Sequence, residues 1–235
     1  MKYSFKEKMS NNKSPLVSVI IPTYNREKAV VRAVQSVLNQ TFQDFEIIVI
    51  DDCSKDQTES AIRKIGDPRI QLIKHERNQG GSVARNTGVH ASRGEFIAFL
   101  DSDDEWLSHK LEYQLTLLRQ STKSLGVVYS GFYYVDSENV QYSQFKPFLK
   151  GDVYFGLLQG NSVMTLSTIV IRRFYWDKTQ GFDPLLPSCQ DWDLYLQLAK
   201  LCEFDFVEEP LAKYLFAKSG DQITGNIKSV IAGHK

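Results

Sequence analysis

Residues 96–104 read Phe-Ile-Ala-Phe-Leu-Asp-Ser-Asp-Asp, an apolar run that passes straight into a cluster of carboxylates. An apolar run this short, ended by polar residues, predicts a strand buried on both faces, as a parallel sheet covered by helices requires. Toward the N-terminus the pattern recurs three times. Val17–Ile21 is ended by Pro22, Glu46–Ile50 ends in Asp51-Asp52, and Ile70–Ile73 reads as a third strand. Between the strands, apolar residues fall at helical spacing: Val30, Ala33, Val34, Val37 and Leu38, then Ala61, Ile62 and Ile65, then Val83, Ala84 and Val89. Asn25 is placed to cap the first helix, and Ser54 and Gln57 have capping-box spacing for the second. Gly66 and Pro68 stop the second helix, Asn78–Gly81 is a loop, and Gly94 ends the third helix.

This β-α-β-α-β-α-β order predicts an α/β fold, with a mainly parallel central sheet flanked by helices and a Rossmann-like N-terminal half. Ligands of such sheets bind beyond the carboxyl ends of the strands. Pro22–Asn25, Asp51–Ser54 and Asp101–Asp104 are therefore expected along one edge, an arrangement that looks like a nucleotide site. After Trp106 the pattern loosens. Leu111, Leu115 and Leu118 mark a helix, and Gly126–Tyr134 is extended. Ser167–Ile171 is strand-like, Gly181-Phe182-Asp183 is a turn, and an amphipathic helix runs from about Trp192 to Leu201. No repeat, linker or low-complexity tract divides the chain. The expected organisation is a polar leader over 1–14 and one domain over 15–235, its halves meeting near residue 105.

Composition narrows the function. Twenty-eight basic and 28 acidic residues balance, which argues against nucleic acid as a partner. Cys53, Cys189 and Cys202 lack CxxC spacing and the four histidines are scattered, so no structural zinc site is expected. The N-terminus has no apolar signal region and no apolar run is long enough to span a bilayer. A cytoplasmic location is expected, with peripheral contact at the inner membrane face compatible with it.

In an extended segment residues i and i+2 point the same way, so Asp101 and Asp103 can face one ligand across Ser102. A sparse carboxylate pair suits a divalent cation completed by waters and substrate phosphates; the plain alternative is a solvated turn. Either Asp51 or Asp52 can accept hydrogen bonds from a nucleobase or merely complement the dipole of the next helix. Tyr24 can add an aromatic surface to the same base or pack under a loop. Arg85 can pair with a phosphate or hold the acidic cluster in shape, and Asn86 is equally ambiguous. Asp191, in Gln190-Asp191-Trp192-Asp193, is either a first-turn helix acid or a general base. Trp176 and Trp192 can stack on sugar rings or belong to the core.

The segments Val17–Asn25, Val49–Asp56, Asn78-Gln79-Gly80, Ala84-Arg85-Asn86, Phe99–Asp104 and Gly181–Asp183 with Gln190–Leu194 together resemble the family-2 inverting glycosyltransferases of GT-A fold. The resemblance implies that Pro22, Tyr24 and Asp52 contact the nucleobase, usually uracil. It places Arg85, Asp101 and Ser102 on the donor, with Asp101 near ribose or metal. It makes Asp103 the metal ligand and Asp191 the catalytic base, with Mn2+ or Mg2+ as cofactor. The acceptor-binding half is then about 106–235. The implied substrates are a nucleotide-sugar donor, a UDP-sugar by family usage, and a saccharide or lipid-linked saccharide acceptor in cell-surface polysaccharide assembly. Two departures stand out: Gln190 replaces the usual glutamate, and Tyr214–Gln222 lacks the histidine some relatives carry. They motivate an alternative, a catalytically weak nucleotide-sugar-binding module of a larger assembly. A nucleotidyltransferase would need a glycine-rich basic loop after the first strand, which Pro22–Asn25 does not supply.

Overall fold

A computed structural model describes residues 14–136 and 138–215. Expectations for the leader before residue 14 and the tail beyond Leu215 lie outside them. The chain begins with β1 (Val17–Thr23), α1 (Ala29–Leu38), β2 (Phe45–Asp51), α2 (Thr58–Ile65), β3 (Ile70–Lys74), α3 (Gly81–Ala91) and β4 (Phe96–Phe99). It continues with β5 (Glu105–Trp106), α4 (Lys110–Gln120), β6 (Leu125–Val135), β7 (Gln141–Phe145) and α5 (Tyr154–Gln159). A 3-10 turn at Leu166–Thr168 leads into β8 (Val170–Arg172), α6 (Arg173–Trp176), α7 (Gln190–Ala199) and β9 (Glu203–Leu215).

One sheet runs in the order β3-β2-β1-β4-β8-β6-β9-β5, with β7 paired to β6. The first four strands are all parallel, as the alternating pattern predicts. The second half joins antiparallel through β4 and β8, and β6 then pairs parallel with β9. Ser167–Ile171, expected as strand, divides: its first two residues lie in the 3-10 turn and only the end is in β8.

Strand alternation sorts the core onto two faces. Ile20, Ile48, Ile50, Ile97 and Phe99 face one cluster with α3 and α7. Val19, Ile21, Val49 and Ala98 face the other, beneath α1 and α4. Trp176 belongs to the first cluster, its ring 5.6 Å from those of Phe99 and Phe182, so the core reading of this tryptophan holds. Pro22 lies inside β1 rather than ending it. Ile20 and Pro22 turn their peptide groups toward β4, whose pairing with β1 stops at Ile20 and Phe99. The missing N–H of Pro22 therefore falls past the last rung and costs no ladder bond.

The helix starts depart from expectation. α1 begins four residues beyond Asn25, which adopts φ 51° and whose Oδ1 accepts the Lys55 N–H at 2.8 Å. Ser54 caps no helix; its hydroxyl accepts the Asn25 N–H at 2.9 Å. The N-cap position of α2 is Gln57, whose side chain makes no capping bond; Asp56 before it accepts the Thr58 N–H at 3.0 Å. For Asn25 and Ser54 the short polar side chain joins two loops instead of closing a local turn, because the ends of β1 and β2 lie side by side. Gly66, at φ 70°, terminates α2 as predicted. α3 ends at Ala91, before Gly94.

Gly94 is needed for another reason. A Cβ there would sit 2.5 Å from the Ser18 backbone nitrogen. Gly94→Ala forces a backbone shift at the start of β4 and is expected to destabilise the fold by about 1–3 kcal/mol, the usual cost of overpacking. Urea denaturation checks this; unchanged stability would show that the β1–β4 approach can relax.

Candidate active site

The parallel strands end along one edge, and their loops are tied to one another there. Arg26 donates its backbone N–H to the Thr58 hydroxyl at 3.0 Å, and its guanidinium reaches Asp103 at 3.2 Å. The loops after β1, β2 and β4 thus meet, as the strand-end rule requires. Pro22 is half-buried and Tyr24, 41% exposed, lies at the rim rather than packed beneath a loop.

Asp52 is buried, and both of its oxygens are engaged by the protein. It accepts from the Gln79 N–H at 2.9 Å, the Gly80 N–H at 2.8 Å and His75 Nδ1 at 2.7 Å. His75 Nε2 in turn meets the Thr87 hydroxyl at 3.1 Å. Asp52 therefore shapes the Asn78–Gly81 loop that starts α3. Its neighbour Asp51 accepts the Ser54 N–H at 2.8 Å through Oδ1, while its buried Oδ2 has no protein partner.

Three carboxylates crowd the turn after β4, and each is compensated differently. Asp101 receives Arg85 from α3 at 2.6 Å, so of the two readings of Arg85 the structure shows the acidic-cluster contact. Asp103 receives Arg26. Asp104 is buried, and accepts the Ser167 hydroxyl at 2.6 Å and the Leu215 N–H at 3.0 Å. Ser167 also accepts the Asp101 N–H at 3.1 Å, so one hydroxyl links both ends of the turn. Ser102 is buried between them. Burial first, then the neighbouring charges of Asp103 and Asp101, push the Asp104 carboxyl well above the usual range. Asp103 is also raised, by burial and then by Asp101, with Arg26 and Arg85 opposing. The pocket is short of positive charge.

The second half adds Asp191 at the start of α7. Asn86 joins that half to α3: its Nδ2 donates to the Phe182 carbonyl at 2.7 Å, and its Oδ1 accepts the Phe182 N–H at 3.0 Å. The two-sided clasp is structural. Asp191 accepts the Asn161 amide at 2.9 Å, and its neighbour Gln190 lies against the start of α3, where a Cβ on Gly81 would come 4.0 Å from Gln190 Oε1, so Asp191 belongs to the same edge. Burial pushes its carboxyl up, against the Trp192 backbone, Asn161 and Arg85. Trp192 donates its indole N–H to the Leu157 carbonyl at 2.7 Å. Arg26, His75, Asn161 and Ser167 carry no local sequence signal; each matters through a partner far along the chain.

Among the described residues no group of three or more His, Cys, Asp or Glu is placed to hold a metal. Asp101 and Asp103 nevertheless fit a hard divalent cation. They are oxygen donors with side chains 29% and 19% exposed, and the cations paired with them are arginines that can also meet phosphate.

The family model described as glycosyl transferase family 2 matches residues 18–180. The chain belongs to that family. An uncharacterised glycosyltransferase of Methanocaldococcus jannaschii is 35% identical over 212 residues, 85% of this chain and 70% of the relative. The putative colanic acid biosynthesis glycosyl transferase WcaA of Escherichia coli K12 is 31% identical over 231 residues, 94% of this chain and 78% of the relative. The crystal structure of S. aureus TarS residues 1–349 in complex with UDP superposes with a TM-score of 0.69 at 25% identity. That match covers 85% of this chain but only 60% of the solved one. The GT-A fold is thereby established.

Ser167→Ala removes the hydroxyl shared by Asp101 and Asp104. Near neutral pH it should cost about 1–3 kcal/mol, the penalty for stranding buried polar groups. The bond from Ser167 favours the charged form of Asp104, so the variant's carboxyl titrates higher still. Protonation on lowering the pH then favours the variant more than the parent, and the gap should narrow as pH falls through the raised Asp104 range. Denaturation curves across pH check both the size and the sign.

Proposed function

We propose that this chain is an inverting, metal-dependent glycosyltransferase that moves a sugar from a nucleoside-diphosphate sugar, a UDP-sugar first, to a saccharide or lipid-linked saccharide acceptor. The observation that carries the reading is the convergence of Asp191, from the second half, on the strand edge holding Asp101, Asp103 and Arg85. Colanic acid biosynthesis is the process in the name given to WcaA, a putative assignment, and UDP is the molecule held by TarS; both support the choice of substrate class. In the described residues no helix is long and apolar enough to cross a membrane.

In this reading Pro22, Tyr24 and the loop shaped by Asp52 form the base pocket. Arg85, Asp101 and Ser102 line the donor's ribose and phosphates. Asp103 would hold Mn2+ or Mg2+, whose charge offsets that of the departing diphosphate. Asp191 accepts the proton of the acceptor hydroxyl as its oxygen forms a bond to the anomeric carbon. The bond from that carbon to the diphosphate oxygen breaks, the nucleoside diphosphate leaves, and the configuration inverts. Burial raises the basicity of Asp191, which suits a proton acceptor, and the Trp192 backbone, Asn161 and Arg85 oppose that rise.

Gln190 does not disturb this arrangement. Its amide donates to the Leu186 carbonyl at 2.9 Å and braces the turn before α7. The binding-module alternative is separated from catalysis by one comparison. Asp191→Asn should lower transfer by about 10²–10⁴-fold, the usual worth of general-base catalysis, with Mn2+-dependent UDP binding by calorimetry unchanged. Undiminished turnover in this variant removes Asp191 as the base. UDP binding by the parent chain with no transfer to any acceptor supports the binding module instead.

A further inference from the structure

The side chain facing Asp191 comes from a loop that no motif marked. Asn161 follows α5 and stands 30 residues before Asp191. Its Oδ1 accepts the backbone N–H of Met164 at 2.9 Å and that of Val163 at 3.3 Å. Two backbone donors on one end of the amide decide its orientation, because an NH2 group cannot accept them. Nδ2 must then be the end that meets Asp191 Oδ2, at 2.9 Å. The turn that brings these N–H groups onto Asn161 leaves Met164 at φ 75°. An L side chain seldom adopts that region, and such conformations are kept where the surroundings demand them.

We infer that Asn161 is a positioning residue for Asp191: its clamped amide holds Oδ2 and so fixes the direction in which the carboxylate meets the acceptor's proton. The inference rests on reading Asp191 as the base. The Trp192 backbone N–H also favours the charged carboxylate, but it belongs to α7 itself; the remaining side chains around Asp191 do not duplicate the role of Asn161. Arg85 from α3 is committed to Asp101 at 2.6 Å, and Asp101 itself repels the carboxylate. Tyr195, one turn further along α7, has a buried hydroxyl without a hydrogen-bond partner. Among the described residues Asn161 is thus the side chain that donates directly to the carboxylate.

Removing the amide should have two effects of different kind. The carboxylate loses its fixed orientation, so kcat falls by about 10-fold or more, as for other partners that orient a reacting ligand. It also loses a donor that favours its charged form, so it titrates at higher pH. Three measurements on the full chain test this: kcat and acceptor KM against pH, Mn2+-dependent UDP affinity by calorimetry, and the Asp191 carboxyl midpoint by 13C NMR. For Asn161→Ala the expected result is a lower kcat, an acidic limb and NMR midpoint both moved upward, and UDP affinity within about twofold of the parent. Asn161→Asp keeps the volume and the oxygen that takes the two backbone bonds, but sets a carboxyl against Asp191. It should move the midpoint further in the same direction, and it carries the test if the alanine variant does not fold. An unmoved midpoint with unchanged kcat, while Asp191→Asn is inactive, overturns the role of Asn161 alone. A uniform loss at every pH together with weakened UDP binding overturns it too, since that is what a merely structural residue would do. Undiminished activity of Asp191→Asn overturns the base reading and this inference with it.

Discussion

Placing three carboxylates within four residues at the end of a buried strand is electrostatically expensive, and the fold of this chain is organised around meeting that cost. Asp101, Asp103 and Asp104 repel one another, and burial weakens the screening that water would provide. Each is answered from a different part of the chain. Arg85 comes from α3, Arg26 from the loop after β1, and Ser167 from the turn before β8. The turn keeps its shape because those elements converge on it. Two of the three partners are cations that a diphosphate can also engage. The same charges that make the site costly to build make it suited to a metal and an anionic donor.

Joining the two halves imposes the second requirement. The parallel half ends at β4, where the antiparallel pairing with β8 brings the rest of the sheet into register. The Asn86–Phe182 clasp then fixes the segment leading toward α7, and the tilted and edge-on packing of Phe99, Trp176 and Phe182 fills the space beneath it. Asp191 reaches the strand edge because of this packing. A carboxylate at a helix start is common and carries no chemistry by itself; here it is carried into the field of Arg85 and Asp101.

Much of this was legible in the amino-acid order. Burial on both faces of a parallel strand demands near-continuous apolar runs, so Val17–Ile21, Ile47–Ile50 and Phe96–Phe99 identify themselves, and their polar ends locate the binding edge. The motifs in register pointed to the family that the comparisons show. Local capping was misread at Asn25 and Ser54, because a short polar side chain serves a helix end and a loop-to-loop bond equally well. Nothing local distinguishes the two until the neighbouring strand end is present.

Sequence by itself therefore determined the layers, the strand edge and the chemical character of the site: periodic burial and carboxylates at strand ends are properties of short stretches. Only the tertiary structure decided who partners whom. Arg26 meets Asp103 across 77 residues, Asp52 is taken up by a loop 27 residues on, and Asn161 rather than a nearer group holds Asp191. Such pairings depend on directed, short-range bonds between loops whose meeting is set by the packing of the whole sheet, and no local pattern encodes that meeting.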